Sequence, residues 1–223
     1  MSVIRSLVIA GLTGLVAACS GGTENIQNQA GFANEIRTAF VNQRAAKKAP
    51  EIVVTRALLD ELTVPSLEII AESRDRTAYL VPFSNRGDVS IWRAADGSQV
   101  ILRGGLIIAT RGVGNDLASS DSDATLAALE RRAGATSRRL FVRNGNSGQD
   151  QVTLSCQTTD LGRTDLEVVE KIFDTHHVRQ TCQVGQGTVT NDYWIEPASG
   201  LMRQSRQWVG PDIGYLRVRV LKQ

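Results

Sequence analysis

Residues 151–184 read QVTLSCQTTDLGRTDLEVVEKIFDTHHVRQTCQV, and they decide the fold because apolar and polar side chains alternate along them. A period of two is the signature of β-strands that turn one face to a core and the other to water. We therefore predict strands at 151–159, 165–173 and 178–184. Strands that follow one another this closely are typical of an antiparallel sheet.

The same stretch holds two cysteines in the core-facing phase. Cys156 is in phase with Leu154, and Cys182 is in phase with Val178. In an oxidising compartment this pair is expected to form a disulfide, which would stabilise the fold by about 3–4 kcal/mol in the chain-entropy model. Two buried free thiols are the alternative. The chain has no Cys-x-x-Cys motif, so neither interpretation indicates redox catalysis.

Working outward, short strands and turns continue in both directions, and only two segments have a helical period. One segment carries Phe32, Ile36 and Phe40 on one side and ends near Pro50, and the other runs from Ser120 to Ala133. We predict a mainly β fold, an antiparallel multi-stranded meander forming a barrel or two packed sheets, with two short helices. The further predicted strands are at 67–72, 77–83, 88–93, 98–102, 106–110, 138–143, 188–196, 201–209 and 215–221.

The N-terminus has the features of a lipoprotein signal. Arg5 precedes an apolar run, Leu7–Val16, that is too short to span a bilayer, and Leu15-Val-Ala-Ala-Cys19 is a lipobox. Cys19 would carry a diacylglycerol, and its amine would carry an acyl chain such as palmitate, which together make a stable anchor. An ordinary secretory signal, or a buried helix with a chance cysteine, is the alternative. Ser20 stands where aspartate would favour retention in the inner membrane, so we expect the outer membrane.

These features divide the chain into three parts. We predict a signal peptide at 1–18, the lipidated cysteine with a flexible tether at 19–30, and a single β-rich periplasmic domain at 31–223. The chain has 25 Lys and Arg against 23 Asp and Glu, and loss of Arg5 with the signal leaves one net positive charge. This balance does not indicate a nucleic-acid partner.

The sequence does not contain the common catalytic and cofactor motifs: Gly-x-Ser-x-Gly, His-Glu-x-x-His and the phosphate-binding loop. His176 and His177 are neighbours on a predicted strand and would point to opposite faces, so we predict no metal site and no cofactor. The glycines around Val113 are explained by a turn. A glycan hydrolase would need two facing carboxylates, and the spacing selects no pair among the candidates Asp116, Asp121, Asp165, Glu167 and Glu196.

Aromatic residues lie in the polar phase of several predicted strands. Trp92, Trp194, Trp208 and Tyr215 each alternate with polar neighbours. A flat ring among hydrogen-bonding groups can stack on the C–H face of a sugar, so these four residues are candidate glycan-stacking sites. The alternative, at least as well supported by the pattern, is that the rings pack under the helices or inside the barrel.

Five motifs resemble the YjbF/GfcB lipoproteins: Asn191-Asp-Tyr-Trp194, Ser199-Gly-Leu201, Ser205-Arg-Gln-Trp-Val-Gly-Pro211, Gly105–Gly112 and Asn115-Asp-Leu117. The resemblance implies a β-rich fold and a part in polysaccharide secretion at the outer membrane, and it carries over no catalytic residue.

Together these observations predict a non-enzymatic binding or assembly factor in exopolysaccharide or capsule production. It would be lipid-anchored in the outer membrane and face the periplasm, with polysaccharide and export-machinery proteins as partners. Two alternatives stay open: a carrier of a lipid or lipoprotein in a half-open barrel, and a glycan-trimming hydrolase.

Overall fold

The computed structural model describes residues 53–146 and 148–223, which form twelve strands and two α-helices. The helices are α1 (Arg56–Glu61) and α2 (Asp123–Arg131), and Glu72–Arg74 forms a 3₁₀ turn. The strands are β1 (Ser66–Ala71), β2 (Arg76–Arg86), β3 (Val89–Ala94), β4 (Gln99–Arg103), β5 (Leu106–Arg111), β6 (Leu117–Ser120), β7 (Gly134–Arg143), β8 (Gln149–Val168), β9 (Lys171–Val184), β10 (Gly187–Ile195), β11 (Met202–Trp208) and β12 (Tyr215–Lys222). Neither described helix is long and apolar enough to cross a membrane.

All twelve strands belong to one antiparallel sheet that curls into a nearly closed barrel. Its order is β5-β4-β3-β2-β1-β12-β11-β10-β9-β8-β7-β6, so the chain begins in the middle of the sheet and the last strand returns to pair with the first. The edge strands β5 and β6 follow each other in sequence and meet at a seam. The mainly β prediction is therefore confirmed, as a barrel and not as two packed sheets.

The inward faces of the strands form the core. Leu67, Leu80, Leu140, Leu154 and Leu216 are buried there in one apolar cluster. The predicted disulfide between Cys156 and Cys182 is present in this cluster, joining residues directly opposite each other on β8 and β9. A second interior cluster, with Leu106, Tyr193 and Met202, is covered at one end of the barrel by Leu129 of α2.

The seam is closed by side chains that bind backbone groups at the start of β5 and at the start of β6. Gln207 of β11, which is fully buried, accepts from the Ile107 amide and donates to the Gly105 carbonyl. Thr110 Oγ1 accepts from the Leu117 amide at 3.0 Å, and its hydroxyl donates to the Asp116 carboxylate. These bonds satisfy edge groups of the sheet that would be costly to bury unpaired.

The β8–β9 hairpin forms an arm that folds over the outside of the barrel. Its register shifts between Asp160 and Arg163, and bulges of this kind bend strands. Arg56 of α1 holds the tip, with its guanidinium donating to the carbonyls of Val168, Val169 and Leu221. A third apolar cluster, containing Leu59, Leu166, Phe173 and Leu221, is buried beneath the arm and α1.

Three details differ from the sequence-based expectation. The predicted strand 165–173 is instead the end of β8 and the start of β9, separated by Val169 and Glu170 in left-handed conformations with φ of 46° and 61°. The four-residue β6 and the six-residue α1 were not predicted, because neither is long enough to show a period. The helix predicted near Phe32–Lys47 lies outside the described residues, as do the signal peptide, Cys19 and the tether.

Candidate functional site

The antiparallel register collects polar and aromatic side chains into two rows on the outer face of β9–β12, which we call the outer ladder. Each row crosses all four strands, because residues opposite each other in register point to the same face. The first row is His177, Trp194, Gln204 and Arg219, and the second is Arg179, Asp192, Arg206 and Arg217.

Trp194 is held in place by its neighbour on β9. The rings of Trp194 and His177 stack with centroids 4.5 Å apart and an angle of 9° between their planes. His177 Nε2 lies 2.7 Å from Asp192 Oδ1, and Arg179 Nε donates to the same oxygen at 2.8 Å. Asp192 is only 7% exposed, and these two partners satisfy its carboxylate. Trp194, which also packs against the apolar cluster under the arm, therefore has a defined orientation without being fully buried.

Tyr215 lies at the other end of the ladder, opposite Trp208 on β11. The Arg206 guanidinium carbon sits 3.4 Å from the centre of the Tyr215 ring, a cation–π geometry. The Tyr215 hydroxyl accepts from the Thr190 amide at 3.0 Å. The Tyr215 ring is thus held by a charged group at its face and by a hydrogen bond at its hydroxyl.

Glu72, from the 3₁₀ turn, neutralises two arginines of the ladder. It accepts from Arg206 Nε at 3.0 and 2.9 Å and from Arg217 Nη2 at 3.0 Å. Partial burial by itself raises the pKa of Glu72, but the hydrogen bonds and charges of the two arginines outweigh it and hold that pKa below its usual 4.5. The carboxylate is therefore ionised across the physiological range.

The four predicted stacking residues do not lie together. Trp194, Trp208 and Tyr215 come from the outer faces of β10–β12, although the Trp208 ring also packs against the interior cluster. Trp92 is opposite Val100 on the inward face of β3, packs against the same cluster and donates from Nε1 to Ser90 Oγ at 2.9 Å. Sugar stacking stays a prediction for all four residues, and for Trp92 the inward position favours the alternative, in which the ring packs inside the barrel.

Three of the five carboxylates considered for hydrolysis are each held in a separate local network, and the other two are exposed. Asp116 accepts from the amides of Gly112 and Val113 in the turn after β5, and Asp121 accepts from Arg139 at 2.7 Å. The Glu196 carboxylate accepts hydrogen bonds from Ser199 and Arg203. The hydrogen bond from Ser199 is the larger cause and Arg203 the smaller cause of the lowered pKa of Glu196. A general acid needs the opposite shift. Asp165 and Glu167 are exposed on the arm.

The described residues contain no group of three or more His, Cys, Asp or Glu side chains placed to hold a metal ion. His176 and His177 point to opposite faces of β9, as predicted: His177 faces Trp194, whereas His176 Nδ1 lies 3.4 Å from the Asp160 carboxylate.

A hollow of about 260 Å³ lies beside α2 at one end of the barrel. Leu126, Leu129 and Met202 form an apolar part of its lining, and Glu130 and Arg132 line it as well. Pockets for drug-sized ligands typically measure about 300–1,000 Å³. The hollow is therefore small. It lies at the end of the barrel, whereas a carrier of a lipid or lipoprotein needs an apolar cavity inside the barrel.

Sequence reasoning missed two partners that define the ladder, His177 for Trp194 and Glu72 for Arg206. The first pair is 17 positions apart and the second 134. Alternation gives the face on which a side chain lies, but it does not give the register that places two strands side by side. These two pairs could have been found only with a prediction of the register between neighbouring strands.

The profile of a protein family described as "Group 4 capsule polysaccharide lipoprotein gfcB, YjbF" matches residues 33–221, which include all the described strands except the last residue of β12. The chain belongs to the YjbF family. The match confirms the resemblance inferred from the sequence motifs, and with it a lipoprotein family related to capsule polysaccharide.

A similar fold is found among solved structures. The crystal structure of the hypothetical lipoprotein YmcC from Escherichia coli K12 superposes with a TM-score of 0.67 and 16% sequence identity, covering 76% of this chain and 89% of that one. At this identity the likeness concerns the fold. No curated protein matches the chain.

Proposed function

We propose that this chain is an outer-membrane lipoprotein, anchored through Cys19 and facing the periplasm, that serves exopolysaccharide or capsule production by binding and assembly without catalysis. The observation that carries this proposal is the family match across residues 33–221. The lipobox at 15–19 and the serine after it support the anchor and its destination.

The outer ladder is the surface we assign to glycan binding. Sugars are bound by flat apolar rings that meet their C–H faces and by polar groups that bond their hydroxyls. Trp194 and Tyr215 supply rings held in fixed orientations by His177 and Arg206. Fixed rings lose less conformational entropy when a ligand binds, which favours affinity.

A non-catalytic role is supported by the state of the candidate carboxylates. Asp116, Asp121 and Glu196 are each engaged by separate donors, and the pKa of Glu196 is lowered, first by its hydrogen bond from Ser199. Such groups suit turns and ion pairs better than proton transfer.

The test is complementation of a strain that lacks the gene, with surface exopolysaccharide measured per cell. The wild-type gene should restore the polymer. Cys19→Ser should fail, with the protein recovered in the soluble periplasmic fraction instead of the membrane. Full restoration by Cys19→Ser would contradict the anchored role, and a deletion strain with normal polymer would contradict the assignment to its production.

A further inference from the structure

Arg138 is the largest fully buried side chain of the barrel and lies on the inward face of β7. Its Nη2 donates to the Ile107 carbonyl and to Ser120 Oγ, and Nε also donates to Ser120 Oγ. Its Nη1 is buried with no hydrogen-bond acceptor in reach among the described residues. A guanidinium donor that lacks an acceptor inside a protein is costly, because it gives up its water without replacement.

No carboxylate of the described residues forms a direct ion pair with Arg138, and the negative charge of Asp121 acts on the guanidinium only from beyond ion-pair distance. The carboxylate of Asp121 is engaged by Arg139, which points outward from the next position on β7. Burial raises the pKa of the nearby Tyr193 phenol to about 12, so this hydroxyl stays neutral and donates to Gln180.

A second buried donor lies on the same face of the same strand. Thr136 is two positions before Arg138 on β7, and its Oγ1 is likewise buried with no partner among the described residues. Residues two apart on a strand are separated by about 6.6 Å, so both side chains enter the barrel interior from neighbouring positions on one face of β7.

We propose that the barrel interior binds a small monovalent anion between Arg138 Nη1 and Thr136 Oγ1. The anion supplies the acceptor that both donors lack and a negative charge in direct contact with the Arg138 guanidinium. Either a free halide or the carboxylate of a small organic acid has this chemistry.

The test is thermal unfolding of the folded domain in sodium chloride, sodium bromide and sodium acetate at matched ionic strength. A ligand that binds only the folded state raises the midpoint with its concentration, by about 3–6 °C for a domain of this size at tenfold excess over Kd. Stabilisation by both halides but not by acetate identifies a free halide, and stabilisation by acetate alone identifies a carboxylate.

Two variants separate specific binding from general salt effects. Arg138→Met should abolish the dependence on the anion, and Arg139→Met, which removes the exposed neighbour, should keep it. Equal dependence in wild type, Arg138→Met and Arg139→Met would overturn the proposal, as would the same midpoint in every salt.

Arg138→Met removes three hydrogen bonds, so crystals of the wild-type domain grown in sodium bromide provide a measurement that does not depend on the folding of the variant. The proposal expects an anomalous bromide peak within hydrogen-bond distance of Arg138 Nη1. A neutral water at that position, with no anomalous signal, would overturn binding of a halide, and together with no stabilisation by acetate it would overturn the site.

Discussion

The barrel interior and the outer ladder both contain arginine, glutamine and aromatic residues, yet they use them differently. Inside, Gln207 and Tyr193 are fully buried, and each bonds specific partners on other strands. Outside, Trp194, Arg206 and Tyr215 are half-buried, and their partners are ion pairs or ring faces beside water. The interior polar groups therefore close the barrel, whereas those of the ladder lie at the surface, where we propose that they bind glycan.

The largest effect is expected at the disulfide in the interior. Replacing Cys156 and Cys182 together by alanine releases a cross-link between residues 26 apart in sequence. We expect a loss of about 3–4 kcal/mol in the free energy of unfolding. Urea denaturation in the presence and absence of reductant measures it, and the double variant should no longer respond to reductant. Equal stability of the oxidised and reduced wild type would contradict this prediction.

The next largest loss in the free energy of unfolding is expected for mutations at the seam between β5 and β6. Gln207→Ala leaves the Ile107 amide and the Gly105 carbonyl without their partner, at an expected cost of about 2–3 kcal/mol. Gln204→Ala, on the same strand but in the ladder, is the matched control and should cost less than about 0.5 kcal/mol. Similar unfolding midpoints for the two variants in urea would remove the distinction between interior and ladder.

The smallest stability effect is expected at the ladder's ion pairs. Glu72→Gln should cost at most about 1 kcal/mol at neutral pH, because partly exposed ion pairs contribute little. The folded-state pKa of Glu72 is lowered from 4.5, so its contribution is present above that value and is lost as the pH falls through the folded pKa. The stability difference between wild type and Glu72→Gln should therefore shrink below about pH 4.5, as measured by denaturation at several pH values. A difference that grew on acidification would contradict the sign.

Alternation of side chains was enough to predict most strands and the faces on which their residues lie. It placed Cys156 and Cys182 in the core phase, and Trp194 and Tyr215 among polar groups. The same rule could have identified Arg138, since it is in phase with the buried Leu140 while Arg139 is not. These predictions succeed because burial of one face is a local property of each strand.

The features that could not be predicted from the sequence depend on contacts between distant segments. The turn at Val169 and Glu170 has no glycine, proline or asparagine, so nothing local interrupts the predicted strand. The folding of the arm over β10–β12 depends on Arg56, more than a hundred positions away, and the stacking of His177 on Trp194 depends on strand register. Trp92 shows the remaining difficulty: it alternates with polar residues and yet faces the interior, because that inward face includes Ser90.

Glycan binding by the outer ladder is tested most directly by tryptophan fluorescence of the soluble domain, starting after Cys19, titrated with the exopolysaccharide of the producing cell. We predict saturable binding by the wild type and by Trp92→Phe, whose ring lies inside the barrel. Trp194→Ala should bind with at least a tenfold weaker affinity, which corresponds to the loss of about one stacking contact. Its circular dichroism spectrum should be unchanged. Equal affinity of Trp194→Ala and wild type, or no response of either to the polymer, would contradict the assignment of the outer ladder to glycan binding.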